Sequence, residues 1–376
     1  MIKKFLICTL LLVNSGIASA CTSAIVAASR TLNGRVLLWK HRDTGEENNK
    51  IERIAATTDG MAYVALFNAS DKACKEAWMG YNEAGFAVMN TASYNLKDDE
   101  VKNTDMDKEG FLMTKALRTC RTVDDFEQLL QKLPKPLGVE ANFGVIDAKG
   151  NGAYFETNNY VYKKYDLKDT ENGLLVRTNY SHHGRTDQGH GYIREKNAEQ
   201  LLAPYIKNKN VTPSVFTEKL SRTYYHSLLK KDFTNSGSTW MIDQDFIPRS
   251  ISTATCVIEG VRADESPLLT TMWIGLGFPP CSELYPAWIW EGGLDEGLRG
   301  TLANGHSPIC DKAVKKKHEV FPIQRGSGSH YFNLSKLYNP QHTGYCQILT
   351  SKNQEAYKKG YRKLAEKRAE LKKTGL

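Results

Sequence analysis

Strand-like and helix-like stretches follow one another in blocks along this chain. Strands read at 21–31 and 35–40, with Asn33-Gly34 between them, then at 61–67, 85–90, 142–147, 152–156 and 174–178. An Asn-Gly pair between two apolar runs is a β-hairpin signal. Helices read at 109–119, at 123–133 behind a Thr122 cap, at 192–206 and at 213–229, where Thr212-Pro213 supplies a cap and a first-turn proline. Strands return at 238–243, 251–259 and 268–275. A doubly wound parallel sheet needs strand and helix to alternate, so the blocks predict an α+β layered fold. At 376 residues the chain is long enough for a large core. It has neither repeats nor a low-complexity linker. The simplest division is a signal segment over 1–20, one domain over 21–351 and a helical extension over 352–376.

The first twenty residues read as an export address. Lys3 and Lys4 precede an apolar run from Phe5 to Val13, which is too short to span a bilayer. Ala18-Ser19-Ala20 then fits a small-x-small cleavage site. Cleavage there makes Cys21 the first residue of a periplasmic or secreted protein. A terminal Cys also fits a lipoprotein anchored in the envelope. Ala18 stands where the usual lipoprotein signal has Leu, which suits ordinary cleavage better.

The formal charge is +8, and its source is local. Residues 352–373 carry nine Lys/Arg against three Glu, and the signal adds two lysines, so the rest of the chain is neutral. That excludes a nucleic-acid protein on charge grounds. Tyr357, Tyr361, Leu364 and Leu371 share one helical face, the pattern of a surface helix docked by its stripe. Attraction of the basic face to an anionic envelope surface is the alternative. Self-association stays open.

Of eight cysteines, Cys8 leaves with the signal. Neither CxxC nor zinc-finger spacing occurs, so no metal is expected, and no organic cofactor is implied. Cys120 and Cys256 read as buried apolar residues. Cys281 and Cys310 are the expected disulfide partners.

A terminal Cys carries a thiol and an α-amine on one residue. The amine titrates at about 7.7–8.0, so it can take the thiol proton without a histidine. In the hairpin Cys21 opens one strand, and Trp39-Lys40-His41-Arg42-Asp43 closes the other. Asp43 is placed to orient the amine. Lys40 and Arg42, on one face by period-two alternation, can lower the thiol pKa or bind a substrate carboxylate. His182-His183 could line such a site. The Gly277–Pro280 loop reads as a pocket border or as packed irregular chain.

Four segments together resemble the N-terminal-nucleophile (Ntn) amide hydrolases of the choloylglycine hydrolase and penicillin V acylase group, and their acyl-coenzyme A:6-aminopenicillanic acid acyltransferase-like relatives. They are Cys21-Thr22-Ser23, Lys40-His41-Arg42-Asp43, Asn82-Glu83-Ala84-Gly85-Phe86-Ala87-Val88 and Val176-Arg177-Thr178-Asn179. The resemblance implies an αββα sandwich of two antiparallel sheets between helical layers. It implies an exported amidase cutting a linear, non-peptide C–N bond through a thioester, with a small N-acyl amine or amino acid as substrate. An acyltransferase using the same site stays open. Cys21 is then the nucleophile, Asp43 the amine's partner and Asn179 an oxyanion donor. Asn90 is a candidate second donor and Arg249 a candidate late catalytic arginine. Lys40 stands where choloylglycine enzymes carry Arg, which leaves Lys40, Arg42 and Arg249 all open as the catalytic cation.

Overall fold

The computed structural model describes residues 20–96, 100–234, 236–324 and 330–374. The expected signal segment lies outside the described residues except for Ala20. Strand β1 (Thr22–Val26) pairs antiparallel with β2 (Leu37–Asp43), Thr22 opposite His41. Their connection runs through a 3-10 turn at Ala28–Arg30 and through Gly34 at φ 72°, where glycine is unstrained. The first strand therefore ends at Val26 and not at 31 as the apolar run predicted.

Next come β3 (Asn49–Ile54), β4 (Tyr63–Asn68), β5 (Met79–Asn82), β6 (Ala87–Ala92), β7 (Ala141–Ile146), β8 (Gly152–Thr157) and β9 (Tyr162–Asp166). These seven pair in sequence order as an antiparallel sheet. β10 (Leu174–Arg177) returns to flank β1. A ribbon of β11 (Tyr225–His226) and β12 (Lys231–Asp232) and a short strand β13 (Trp240–Ile242) precede β14 (Ser252–Glu259), β15 (Thr271–Leu276) and β16 (Leu284–Ala287). The second sheet has the order β10-β1-β2-β14-β15-β16. β17 (Ile323–Gln324) and β18 (His330–Asn333) join β13 in a small sheet.

The two large sheets stack face to face. Ile25, Leu38, Cys256, Ile258 and Ile274 of one meet Val64, Leu66, Met79, Met89 and Tyr154 of the other. Helices α1 (Glu109–Thr119) and α2 (Val123–Lys132) cover the far face of the seven-stranded sheet, where Met113, Leu117 and Phe126 pack on Phe67, Val88 and Phe143. α2 starts at a capping box, Thr122 accepting from Asp125 N–H at 3.1 Å and Asp125 accepting from Thr122 N–H at 3.0 Å. α3 (Tyr192–Lys207) covers the outer face of the six-stranded sheet through Ala198, Leu202 and Ile206, against Val26, Leu37 and Trp39. α4 (Pro308–Val320) and α5 (Tyr345–Thr374) complete the chain. The architecture is the four-layer αββα sandwich.

Two expectations fail. The helix over 213–229 shrinks to a single wide turn at Val215–Leu220. Beyond it Ser221 bonds Thr255 at 2.8 Å and Arg222 donates to the carbonyls of Pro279 and Ser282, which ties the chain to β14 and to the β15–β16 connection. Cys281 and Cys310 are not bridged; all seven cysteines among the described residues are free thiols. Cys310 Sγ is engaged by β3, accepting from Asn49 N–H at 3.3 Å and facing Glu47 O at 3.6 Å. The loop at 277–281 is packed chain, with Phe278, Pro279, Pro280 and Cys281 all buried.

The C-terminal helix begins at Tyr345 and buries Tyr357, Gly360, Leu364 and Leu371. Tyr357 and Tyr361 lie 4.5 and 5.0 Å from the buried Trp273 ring, and Tyr357 OH meets Thr217 Oγ1 at 2.8 Å. Gly360 lets the helix approach: a Cβ there would stand 2.6 Å from Trp273. In an open helix Gly→Ala stabilises by about 1 kcal/mol. Here overpacking, typically about 1–3 kcal/mol, opposes it. Gly360→Ala is therefore expected to lower the melting temperature, read by thermal unfolding.

Candidate active site

Period-two alternation in β2 sends Leu38, Lys40 and Arg42 toward the space between the sheets, and Trp39, His41 and Asp43 toward the helix face. The end of this one strand thus serves two environments. On the inter-sheet side lies a cavity of about 640 Å³, lined by Cys21, Lys40, Arg42, Trp78, Asn90 and Tyr94. Four acidic residues, Glu76, Asp107, Glu109 and Glu140, also line it. Glu109 is the first residue of α1, and burial lifts its carboxyl to about 7.

The Cys21 side chain is only 4% exposed. Its Sγ lies 3.8 Å from the carbonyl oxygen of Asp43, which also accepts the Ala20 N–H at 3.3 Å. The Asp43 carboxylate is fully buried on the helix side. Its Oδ1 accepts from Ser252 Oγ at 2.6 Å, and Oδ2 accepts from Arg249 Nη2. The same Arg249 nitrogen donates to the Ala20 carbonyl at 2.7 Å. Arg249 therefore spans the carboxylate and the residue preceding Cys21.

Lys40 Nζ donates to Trp78 O at 2.9 Å and to Asn90 Oδ1 at 2.8 Å. Arg42 donates to Asn49 Oδ1 and, at 2.7 Å, to Asn68 Oδ1, and sits 5.1 Å from the Trp78 ring centre. Among the described residues both buried cations thus bond neutral oxygens alone. Burial lowers Lys40 to about 8, opposed chiefly by the Cys21 sulfur. Burial also lowers Arg42, to about 10, again opposed first by Cys21. The Cys21 sulfur is thus the leading group that opposes the effect of burial on both cations.

Asn179 is fully buried, its backbone exchanging 3.1 Å hydrogen bonds with His190. Arg194 Nη2 donates to its Oδ1 at 2.9 Å, and Asn179 Nδ2 donates to Ala92 O at 2.9 Å. Arg194 Nη1 also reaches Cys21 O at 2.6 Å and Thr22 Oγ1 at 3.0 Å. Asn179 and Asn90 share one device: a cation occupies the amide oxygen, so the NH₂ end is fixed as donor. Asn90 lines the cavity, and Asn179 stands behind its wall.

The structure brings Cys21, Asp43, Arg249 and Asn179 together through Ala20 and Arg194, and puts Asn90 and Arg42 in the cavity with Cys21. His182 and His183 lie off it, paired with the buried Glu195 at 3.0 Å and Glu156 at 2.5 Å. Arg194 escaped the sequence reading. A signal existed, because Arg194 falls on the stripe 194, 198, 202, 206 that α3 turns to the core. Asn82, in the third resembling segment, has a structural task. Its Nδ2 donates to Leu117 O and Cys120 O, and its Oδ1 caps the turn at Gly85, φ 75°.

Residues 70–243 match the family described as acyl-coenzyme A:6-aminopenicillanic acid acyl-transferase. No curated protein sequence matches the chain. Among solved structures, a Caenorhabditis elegans ortholog of N-acylethanolamine-hydrolyzing acid amidase is similar at 14% identity and TM-score 0.43, over 66% of this chain and 93% of that one. A mutant conjugated bile acid hydrolase from Clostridium perfringens is similar at 12% identity and TM-score 0.41, over 71% and 92%. Penicillin V acylase from Agrobacterium tumefaciens is similar at 12% identity and TM-score 0.40, over 72% and 86%. The family match covers the segment carrying Asn82, Asn90 and Asn179, and the six-stranded sheet adds the Cys21–Asp43 hairpin to it. Over residues 70–243 the chain is thus similar to the acyltransferase-type relatives that its sequence segments resemble.

Proposed function

We propose that this protein is an exported amidase that hydrolyses a linear C–N amide through Cys21 once residues 1–20 are removed. The observation that carries the reading is the Cys21 thiol on a cavity wall beside two cations and a cation-oriented asparagine amide, with Asp43 at its back. The α-amine of Cys21 takes the thiol proton. The thiolate attacks the amide carbon, and the oxyanion forms against the Asn90 amide, which lines the cavity, with Asn179 behind the wall. One such donor is typically worth about 2.7–4 kcal/mol. The ammonium returns its proton to the departing amine, leaving a thioester. Water then attacks, loses a proton to the α-amine and releases the acid with the free thiol.

Lys40 and Arg42 favour an amide with a carboxylate near the scissile bond, such as an N-acyl amino acid. The family match, named for an acyl-transferase, favours a second reading in which an acceptor amine replaces water. A lipid-anchored lipoprotein fits less well, because Cys21 is only 4% exposed and faces a cavity lined by charged groups.

The test is a panel of N-acyl glycines and chromogenic N-acyl anilides, with and without acceptor amines. The exported protein is expected to have the mass of a chain starting at Cys21, to give a burst and to lose turnover on iodoacetamide treatment. Cys21→Ala should keep the fold and lose at least about 10³-fold in kcat, the scale of losing a covalent nucleophile. Turnover surviving in Cys21→Ala, or an active protein retaining residues 1–20, would overturn the reading.

The Lys40 value sets a pH limb. Above about 8 the ammonium loses its proton, and with it the positive charge beside the sulfur. Activity (kcat/KM) is expected to fall as pH rises through that value. In Lys40→Arg the charge persists, so the falling limb should move up by at least about one unit, read from pH–rate profiles.

A further inference from the structure

We propose that Ser252 is a positioning residue for the nucleophile, its hydroxyl locking the Asp43 carboxylate in the orientation that holds the Cys21 α-amine. The inference rests on the Cys21 reading above and extends it to a residue outside the cavity.

Ser252, Asp43 and His41 are all fully buried. β14 pairs with β2 with Ser252 opposite Asp43 and Ala254 opposite Arg42, so a bulge inserts Thr253 between them. A bulge re-aims side chains where it occurs, and this one brings the Ser252 hydroxyl onto Asp43. A hydroxyl has one proton to donate and two lone pairs to fill. Asp43 Oδ1, at 2.6 Å, is a carboxylate oxygen, so it takes the proton. The Arg249 N–H at 2.9 Å fills one lone pair. His41 Nε2 at 2.8 Å fills the other, and it must do so as a donor.

The saturated hydroxyl fixes the histidine tautomer. His41 carries its proton on Nε2, and Nδ1 is left a bare acceptor, with no hydrogen-bond partner among the described residues. The charged groups facing the ring are Asp43, Arg249 and Arg194. Burial outweighs Asp43 and lowers the ring to about 4, so it is neutral at working pH. His41 thus acts as a fixed N–H donor that keeps the Ser252 proton on Asp43. Arg249 engages the other carboxylate oxygen. With a donor on each oxygen, rotation of the carboxylate is blocked and its remaining lone pairs have set directions. That is the preorganisation an amine base needs, since small misplacements near reacting atoms can cost about 100-fold.

The test compares Ser252→Ala and Ser252→Thr with the wild type on one amide that the wild-type enzyme turns over. Ser252→Ala is expected to lose 10- to 100-fold in kcat with KM within threefold, and Ser252→Thr, which keeps the hydroxyl, to recover most of it. A carboxylate held against an ammonium raises the amine pKa, so loosening it lowers that pKa. The ascending limb of the pH–rate profile, and of the rate of Cys21 alkylation by iodoacetamide, should therefore move to lower pH in Ser252→Ala. A purely structural role would lower the melting temperature and leave the limb in place. If Ser252→Ala does not fold, Ser252→Cys, near in size with a weaker donor, should show the same shift. Wild-type kcat and an unmoved limb in the folded variant would overturn the proposal. Failure of the amidase reading is separate, since it would show as turnover in Cys21→Ala.

Discussion

A fully buried carboxylate cannot be left to itself, and Asp43 is buried completely. Removing one partner of such a charge typically costs about 3–5 kcal/mol. Asp43 meets this demand with Arg249 on one oxygen and Ser252 on the other. Those partners lie 206 and 209 residues away in sequence, so folding must close the β2–β14 seam before the charge is satisfied. The backbone carbonyl of Asp43 meanwhile accepts the Ala20 N–H and faces the Cys21 thiol. A single residue thereby joins the start of the domain, the central strand pair and the loop before β14.

The other face of β2 follows a different electrostatic rule. Lys40 and Arg42 have amide and carbonyl oxygens around them where a stable ion pair would have carboxylates. Neutral acceptors satisfy the donors' geometry and leave the charge available. A cation so arranged favours any negative charge that develops nearby, whether thiolate, oxyanion or bound anion. Across the cavity the carboxylates of Glu76, Asp107 and Glu109 have no ion-pair partner among the described residues, so the two walls carry opposite sign. The chemistry and the charge are separated by the pleat: Asp43 is ion-paired on one face, and Lys40 and Arg42 remain uncompensated on the other.

Local signals carried what is local. The β1–β2 pairing, the β7–β8 turn, the Thr122 cap and the Cys21–Asp43 juxtaposition all follow from alternation and turn residues within about forty positions. β3 and β5 were missed because NKIERI is half charged and MGYN is only four residues long. α4 was missed although Ser307-Pro308 is a cap and first-turn proline, with Ser307 accepting from Cys310 N–H at 3.1 Å. The helix expected over 213–229 failed because aromatic residues near Tyr224 pack beneath the small sheet, and tertiary burial overrode the helical period. Arg194 and Ser252 reach their targets across 172 and 209 residues, and no spacing rule spans such a gap. What the sequence held for Arg194 was a conflict: a guanidinium on an otherwise apolar stripe. Ser252 carried no such conflict and could be found only from the bulge beside it.

Ala20 links the precursor to the proposed mature chain. Its N–H is taken by Asp43 O and its carbonyl by Arg249 Nη2, so both of its peptide groups are bound inside the site. Under the proposed cleavage before Cys21 the Ala20 carbonyl would leave, and the Arg249 guanidinium would keep Asp43. The carboxylate proposed to hold the Cys21 amine is already fixed by two donors. It needs no rearrangement, since the arginine that held the leader has been bonded to that carboxylate throughout. The same geometry explains why Asp43 must be anchored from behind. With Ala20 gone the Arg249 guanidinium would lose one of its two acceptors, and Ser252 would still hold the other carboxylate oxygen. On the proposed function, a site built this way is assembled before Cys21 has a free amine, and exposing that amine is the last change it requires.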